Sequence, residues 1–148
     1  MLPLFGERKA YPYLQTEFNE HTAKLSPNGQ WLAYASDETK RTEIYIQTFP
    51  NPGGKWPIST NGGSRPIWSR DGKELFFIGL DRKLMAVEVK SGAKFEAGLP
   101  KPLFDTLLPS GAWYDVSKDG RFLMPVPIEQ SGIVPITVVV NWTAGMKR

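Results

Sequence analysis

Ser26-Pro27-Asn28-Gly29, Ser69-Arg70-Asp71-Gly72 and Ser117-Lys118-Asp119-Gly120 are three copies of one four-residue turn. The glycines of successive copies lie 43 and 48 residues apart. An apolar run follows each copy, as Trp31–Tyr34 follows the first. A period of about 40–50 residues, made of short strands and tight turns, is typical of β-propeller blades. The repeat therefore predicts an all-β fold: a partial β-propeller of about three four-stranded antiparallel blades.

A second marker keeps the same period. Thr16, Thr60 and Thr106 each end the last predicted strand of a repeat, and they lie 44 and 46 residues apart. Two independent markers with one period indicate a single propeller domain over residues 1–148. Its predicted parts are the end of a preceding blade (1–16), two blades (17–60 and 61–106) and an incomplete last blade (107–148).

Alternation of apolar and polar residues between turn residues predicts the strands. In the first repeat they are Ala23–Ser26, Gln30–Ser36, Glu43–Phe49 and Lys55–Thr60. In the second they are Pro66–Ser69, Glu74–Gly79, Lys83–Lys90 and Lys101–Thr106, with a loop at Ser91–Lys94. In the third they are Ala112–Ser117, Arg121–Val126 and Pro135–Trp142. Tyr11–Thr16 matches a fourth strand whose earlier partners are absent.

The predicted blades are too few to close a ring, because propellers typically contain about 4–8 blades. The last strand, Ile136–Val140, is apolar on both faces, and such an edge invites pairing with another chain. We therefore expect a larger propeller, or self-association through the open edges Tyr11–Thr16 and Ile136–Val140. The isolated chain is expected to be dimeric or to aggregate.

Composition excludes several classes of function. The chain has 148 residues, a formal net charge of +3 and no cysteine, so it has neither disulfides nor thiolate metal sites. Its basic residues are scattered, whereas nucleic-acid-binding proteins usually cluster them on one face. No apolar stretch reaches the roughly 20 residues that span a bilayer. We predict no nucleic-acid partner and no direct membrane contact.

Several segments resemble a known group of proteins. Leu25–Tyr34 is similar to the WD-like repeat of TolB-type propellers. The similarity is closer to the C-terminal propeller of large bacterial, often acidobacterial, serine/threonine protein kinases. It rests on Gly53–Trp56, Ser59–Ser64, Arg70–Leu75 and Asn141–Gly145, in this order. Asn28 stands where aspartate is usual in the group, and asparagine tolerates the same turn.

The resemblance implies a fold and a setting. It implies a kinase domain and a membrane span upstream, and a propeller outside the cytoplasm that senses or binds something. The chain itself contains no glycine-rich phosphate loop, no His-Arg-Asp motif and no Asp-Phe-Gly motif. Kinase activity therefore cannot be assigned to any residue here.

Other catalytic arrangements are not indicated. His21 is the single histidine, and no Gly-x-Ser-x-Gly elbow supplies a nucleophile for it. Asp37-Glu38 and Asp115 lack the spacing of a calcium loop. The serines of the repeated turn recur in every repeat, as structural hydroxyl groups do. We predict a non-enzymatic chain without catalytic residues, metal or cofactor.

Candidate contact residues lie in the predicted loops between blades, Glu17–Thr22, Asn61–Arg65 and Leu107–Gly111. Paired glycines expose backbone N–H groups and an arginine adds charge, which would suit an anionic ligand. The candidates are Glu20, His21, Asn61, Gly62, Gly63, Ser64, Arg65 and Ser110.

The sequence thus favours a non-catalytic scaffold that binds a protein or a small molecule, as part of a larger bacterial protein. Two alternatives stay open: the sensor end of a transmembrane serine/threonine kinase, and the propeller gate of a peptidase. A structural role in an envelope complex is not separated from the first function by sequence.

Overall fold

A computed structural model describes residues 1, 6, 8–91, 95–127 and 136–139. Within these residues the chain forms twelve β-strands and no helix. The strands form three consecutive antiparallel sheets, which we call blades 1, 2 and 3. Each sheet starts shortly before one Ser-x-Asx-Gly turn, so the repeat in the sequence corresponds to the repeat in the structure.

Blade 1 consists of β1 (Glu20–Leu25), β2 (Trp31–Ser36), β3 (Glu43–Thr48) and β4 (Lys55–Pro57), paired in that order. Blade 2 consists of β5 (Gly63–Trp68), β6 (Glu74–Gly79), β7 (Lys83–Ser91), β8 (Phe95–Ala97) and β9 (Lys101–Asp105). In blade 2, both β8 and β9 pair with β7, along different parts of its length. Blade 3 consists of β10 (Asp115–Val116), β11 (Phe122–Pro125) and β12 (Ile136–Val139).

The repeated turn has the same hydrogen bonds in all three blades. The serine hydroxyl donates to the side-chain oxygen of the asparagine or aspartate over 2.5–2.8 Å. The same serine oxygen accepts a backbone N–H at or just before the start of the second strand, over 2.9–3.0 Å. The glycine N–H donates to the serine carbonyl, and the three glycines have φ of 67–78°. This left-handed conformation favours glycine, which explains why it recurs.

Hydrogen bonds to the turn carboxylates also affect their ionisation. The pKa of Asp71 is lowered, first by the Lys73 N–H and then by the Ser69 hydroxyl. The pKa of Asp119 is lowered, first by the Ser117 hydroxyl and then by Arg121. Both aspartates therefore act as turn formers, as the sequence predicted.

The main core lies between blades. A cluster between blades 1 and 2 consists of Trp31, Ala33, Ala35, Ile44, Ile46, Ile58, Trp68, Leu75, Phe77, Val87, Val89 and Phe95. A second, between blades 2 and 3, consists of Ile67, Phe76, Ile78, Leu84, Ala86, Leu108, Tyr114, Phe122 and Met124. Blade 2 therefore contributes both of its faces, one to each neighbouring blade.

The innermost strands of blades 1 and 2 begin earlier than predicted, whereas that of blade 3 begins later, at Asp115 rather than Ala112. β1 begins at Glu20 rather than Ala23, and β5 begins at Gly63 rather than Pro66. Each strand contains a bulge, at which Thr22 and Arg65 both adopt φ of 55°. Non-glycine residues rarely adopt this conformation, so sequence alone did not indicate a strand that continues through it.

Two further strand predictions were wrong. β8 lies between the predicted loop and the predicted last strand of blade 2, and its short, mixed sequence gave no signal. Tyr11–Thr16 forms no strand. Instead, the Tyr13 hydroxyl donates to the Thr48 carbonyl, and its ring lies 5.2 Å from that of Phe49. Side-chain contacts with blade 1, rather than backbone pairing, hold this segment, and Pro12 has no N–H to donate.

Replacing Ser69 with alanine tests the repeated turn. Ser69→Ala leaves the partly buried N–H of Glu74 without its acceptor, so the free energy of unfolding should fall by about 1–3 kcal/mol. Urea denaturation followed by circular dichroism measures this. Ser110→Ala, at an exposed serine, is the control and should change stability by less than about 0.5 kcal/mol. Equal effects of the two substitutions would contradict the structural role of the turn.

Candidate functional site

The two ends of each blade carry different connections. The Ser-x-Asx-Gly turns join the first two strands at one end, which we call the turn end. The chain passes from one blade to the next at the other, the connection end, where the turn between β2 and β3 also lies. The candidate loops predicted from sequence lie at the connection end.

At the connection end, a buried carboxylate organises the passage from blade 1 to blade 2. Glu43 is only 3% exposed, and it accepts hydrogen bonds from the Gly62 N–H at 2.9 Å and from the Ser59 hydroxyl. Arg41 forms an ion pair with it at 2.7 Å. Charge-assisted hydrogen bonds of this kind are stronger than neutral ones. The carboxylate therefore binds the start of β5 to the start of β3.

This arrangement bears on the predicted anion-binding glycines. Gly62 donates to Glu43, and Gly63 donates to the Thr42 carbonyl at 3.0 Å. An external anion would have to compete with Glu43 for the first of these groups. Gly62 has φ of 87°, and a Cβ there would lie 2.3 Å from Cγ of Leu80. Both backbone conformation and space therefore favour glycine at this position.

The other candidates are spread over the connection end. Glu20 and His21 lie in β1, not in a loop, where His21 pairs with Ala35. Ser64 and Arg65 lie in β5, whereas Asn61 and Ser110 are exposed outside strands.

A hollow of about 510 Å³ lies beside two of these candidates. Asn61 and Gly62 line it together with Leu80, Met85 and Leu99. Leu80 and Leu99 are 63% and 84% exposed. The walls of this hollow are largely apolar, and few charged side chains line it.

Two aromatic side chains join neighbouring blades at their innermost strands. The indole N–H of Trp68 donates to the Lys24 carbonyl of β1 at 3.0 Å. The hydroxyl of Tyr114 donates to the Arg65 carbonyl of β5, also at 3.0 Å. Burial raises the pKa of Tyr114 well above its usual value, so this donor stays protonated. We call these two contacts the aromatic latches.

A larger depression opens at the turn end, across the innermost strands of the three blades. We call it the turn-end groove; it has a volume of about 940 Å³, and its walls include Lys24, Leu25, Arg70, Trp113, Asp115 and Leu123. Its size is that of a small-molecule site, about 300–1,000 Å³.

The groove exposes apolar surface that the folded blades do not cover. Leu25, Trp113 and Leu123 are 50%, 52% and 44% exposed. The ammonium of Lys24 lies 5.8 Å from the centre of the Trp113 ring, a cation–π contact that holds both side chains at the groove. Exposed apolar groups that share one concavity mark a binding surface more strongly than scattered ones do.

The sequence prediction did not include the groove residues, although the sequence contained a signal for them. The serine, Asx and glycine of the turn repeat, but the second residue changes from Pro27 to Arg70 to Lys118. Trp113 lies four residues before its turn serine, where the other repeats have Thr22 and Arg65. Residues that vary between the repeats do not maintain the turn itself, so they are candidates for contacts with a ligand.

The described residues contain neither a metal-ion cluster nor a membrane-crossing helix. No group of three or more histidine, cysteine, aspartate or glutamate side chains there is placed to hold a metal ion. None of the described segments forms a helix of the length and apolarity that would cross a membrane.

Comparison with known proteins identifies the fold. TolB from Acinetobacter baumannii matches with a TM-score of 0.54 and 20% sequence identity, over 80% of this chain. The chain spans only 29% of the length of that TolB chain. No family model and no curated protein matches the sequence. The predicted all-β, partial β-propeller fold is confirmed, with a TolB-like architecture.

Removing the buried carboxylate tests the connection end. Glu43→Ala removes the acceptor of the Gly62 N–H and the partner of Arg41, so the free energy of unfolding should fall by about 2–3 kcal/mol. Glu96→Ala, at an exposed glutamate of β8, should change it by less than about 0.5 kcal/mol. Urea denaturation measures both. If Glu43→Ala left the free energy of unfolding unchanged, the carboxylate would not hold the blades together.

Proposed function

We propose that this chain is a non-catalytic β-propeller module that binds a protein or a small ligand at the turn-end groove. The observation that carries the proposal is the exposure of Trp113 in a concavity shared with Leu25 and Leu123. Aromatic residues that remain exposed on a rigid scaffold are the usual anchors of binding sites.

The groove is better suited to binding than to catalysis. Its carboxylate, Asp115, already accepts the N–H of Val116 at 2.8 Å. The single histidine of the sequence, His21, lies in β1 and is not among the groove residues. General acid–base catalysis needs a titrating group within reach of the substrate. A TolB-like fold alone does not specify function, so the proposal depends on the groove.

Substitution of Trp113 tests the groove as a binding site. A fragment library is screened by protein-observed NMR, and dissociation constants are obtained by titration. Trp113→Ala should weaken groove ligands at least about fivefold, since an aromatic anchor contributes more than about 1 kcal/mol. Leu99→Ala, at an exposed apolar residue of the connection end, should leave those affinities unchanged. No saturable ligand, or equal loss in both variants, would refute the proposal.

A second candidate concerns the longer protein. We propose that the module is the sensor end of a transmembrane serine/threonine kinase and lies outside the cytoplasm. Support comes from the resemblance of Leu25–Tyr34 and of the later segments to kinase-linked propellers. The reading frame upstream of residue 1 tests this. A kinase domain followed by a membrane span supports it, and a hydrolase domain downstream would instead support a peptidase.

We also propose that the isolated chain self-associates through β12, which pairs only with β11 among the described residues. Analytical ultracentrifugation should show a mean mass that rises with concentration. Val138→Lys places a charge on this edge strand and should reduce association, because charged side chains block edge pairing. A wild-type monomer at all concentrations would exclude self-association.

A further inference from the structure

The turn-end groove has two cationic side chains that are not neutralised. Lys24 and Arg70 form no ion pair with any carboxylate among the described residues, and both are exposed. Lys83 and Arg121, outside the groove, lie 3.1 Å and 2.9 Å from aspartates. The positive charge of Lys24 and Arg70 is therefore available to a ligand.

The one acidic residue among the named walls does not cancel this charge. Asp115 has one carboxylate oxygen bound to the Val116 N–H, and the groove otherwise presents two cations. A concave surface with an excess of one charge attracts ligands of the opposite charge and raises their local concentration. The groove therefore favours an anion.

The groove that contains the two cations also exposes apolar surface. The indole of Trp113 is 52% exposed, and Leu25 and Leu123 offer aliphatic walls. An indole is a flat, polarisable surface on which a ring stacks with its face or edge. A simple inorganic anion would contact the cations and leave the apolar surface exposed to water. An anion with an apolar ring face contacts both the cations and the apolar surface.

The aromatic latches disfavour an extended peptide that adds as a strand. Strand addition requires free backbone groups along a sheet edge. The Lys24 and Arg65 carbonyls on the innermost strands already accept hydrogen bonds from Trp68 and Tyr114. These two carbonyls already have a donor, which favours recognition of a compact ligand through side chains.

We infer that the turn-end groove binds a small organic anion in which a carboxylate is attached to a ring with an apolar face. The ring packs on Trp113 and the aliphatic walls, and the carboxylate pairs with Lys24 and Arg70. An aromatic acid has this chemistry, and so does an acidic sugar, whose ring has a face made of C–H groups. The inference rests on the proposed binding function and specifies the ligand class.

Isothermal titration calorimetry of the full chain with three probes tests the inference. The probes are 2-naphthoate, its neutral analogue 2-naphthamide, and trigalacturonate. At least one carboxylate should bind saturably. If 2-naphthoate is that ligand, it should bind about twofold to fivefold tighter than the amide, as exposed ion pairs allow. Raising sodium chloride from about 50 mM to about 500 mM should weaken the carboxylates and leave the amide nearly unchanged.

Variants locate the charge effect. The double variant Lys24→Gln/Arg70→Gln should lose most of the salt dependence and the preference for naphthoate over its amide. Arg70→Gln alone, on an exposed turn, keeps the test valid if the double variant unfolds; it should reduce the preference about twofold or more. Lys40→Gln removes an exposed lysine from the connection end and should change nothing.

The outcomes separate this inference from the proposed function. Tighter binding of naphthoate identifies an aromatic acid, and tighter binding of trigalacturonate identifies an acidic sugar. If the amide binds as tightly as naphthoate and trigalacturonate does not bind, the anion inference is wrong but the binding function stands. If all three probes fail to bind while other fragments bind in a Trp113-dependent manner, the anion inference is again wrong and the binding function stands. If no ligand of any kind saturates, both are wrong.

Discussion

Leu75 and Phe77 of β6 pack against Ala33 and Ile44 of blade 1, and this contact between blades is the one on which the structure depends. A four-stranded sheet has two faces and cannot bury either face by itself. Both faces of blade 2 are buried, because each packs against a neighbouring blade. Burial of an aliphatic or aromatic side chain contributes about 1.5–3 kcal/mol. The aromatic latches and the Glu43 carboxylate then fix how the packed blades are positioned.

The outer face of blade 1 has a different chemistry from the equivalent face of blade 2. The turn spacing and the strand pairing show which positions of the two blades are equivalent. Tyr34 of blade 1 corresponds to Phe77 of blade 2, and Gln47 corresponds to Val87. The Tyr34 hydroxyl donates a hydrogen bond to Oε1 of Gln47 over 3.4 Å. Burial raises the pKa of Tyr34. Tyr13 packs over this face from the N-terminal segment. Side chains of the N-terminal segment thus cover this face of blade 1, as blade 1 itself covers the equivalent face of blade 2.

Local geometry explains how much of the fold could be predicted. The turn serines, the turn glycines and the alternation along β6 follow from contacts within a few residues, and the sequence predicted them. The bulges at Thr22 and Arg65 could not be predicted, because non-glycine residues adopt positive φ only when the surrounding sheet requires it. β8 could not be predicted for a different reason. It exists because β7 is long enough to pair with two strands, and the length of β7 depends on the rest of the sheet.

The candidate site was harder to predict than the fold. Sequence favoured Gly62 and Gly63 because paired glycines expose N–H groups, but their acceptors come from Glu43 and Thr42, about 20 residues away. Trp113 could not be distinguished from a core tryptophan, because its exposure depends on the position of blade 3. The sequence signals for the groove were the variable second residue of the turn, as at Arg70, and the different residue types at the repeat position of Trp113.

The aromatic latches determine how the groove meets a ligand. Neighbouring blades cannot slide past each other without breaking a partly buried hydrogen bond from Trp68 or Tyr114. The groove walls are therefore preorganised, and an incoming molecule does not have to order them. The affinity for a ligand of the proposed kind would therefore be set by its contacts rather than by a cost of ordering the protein.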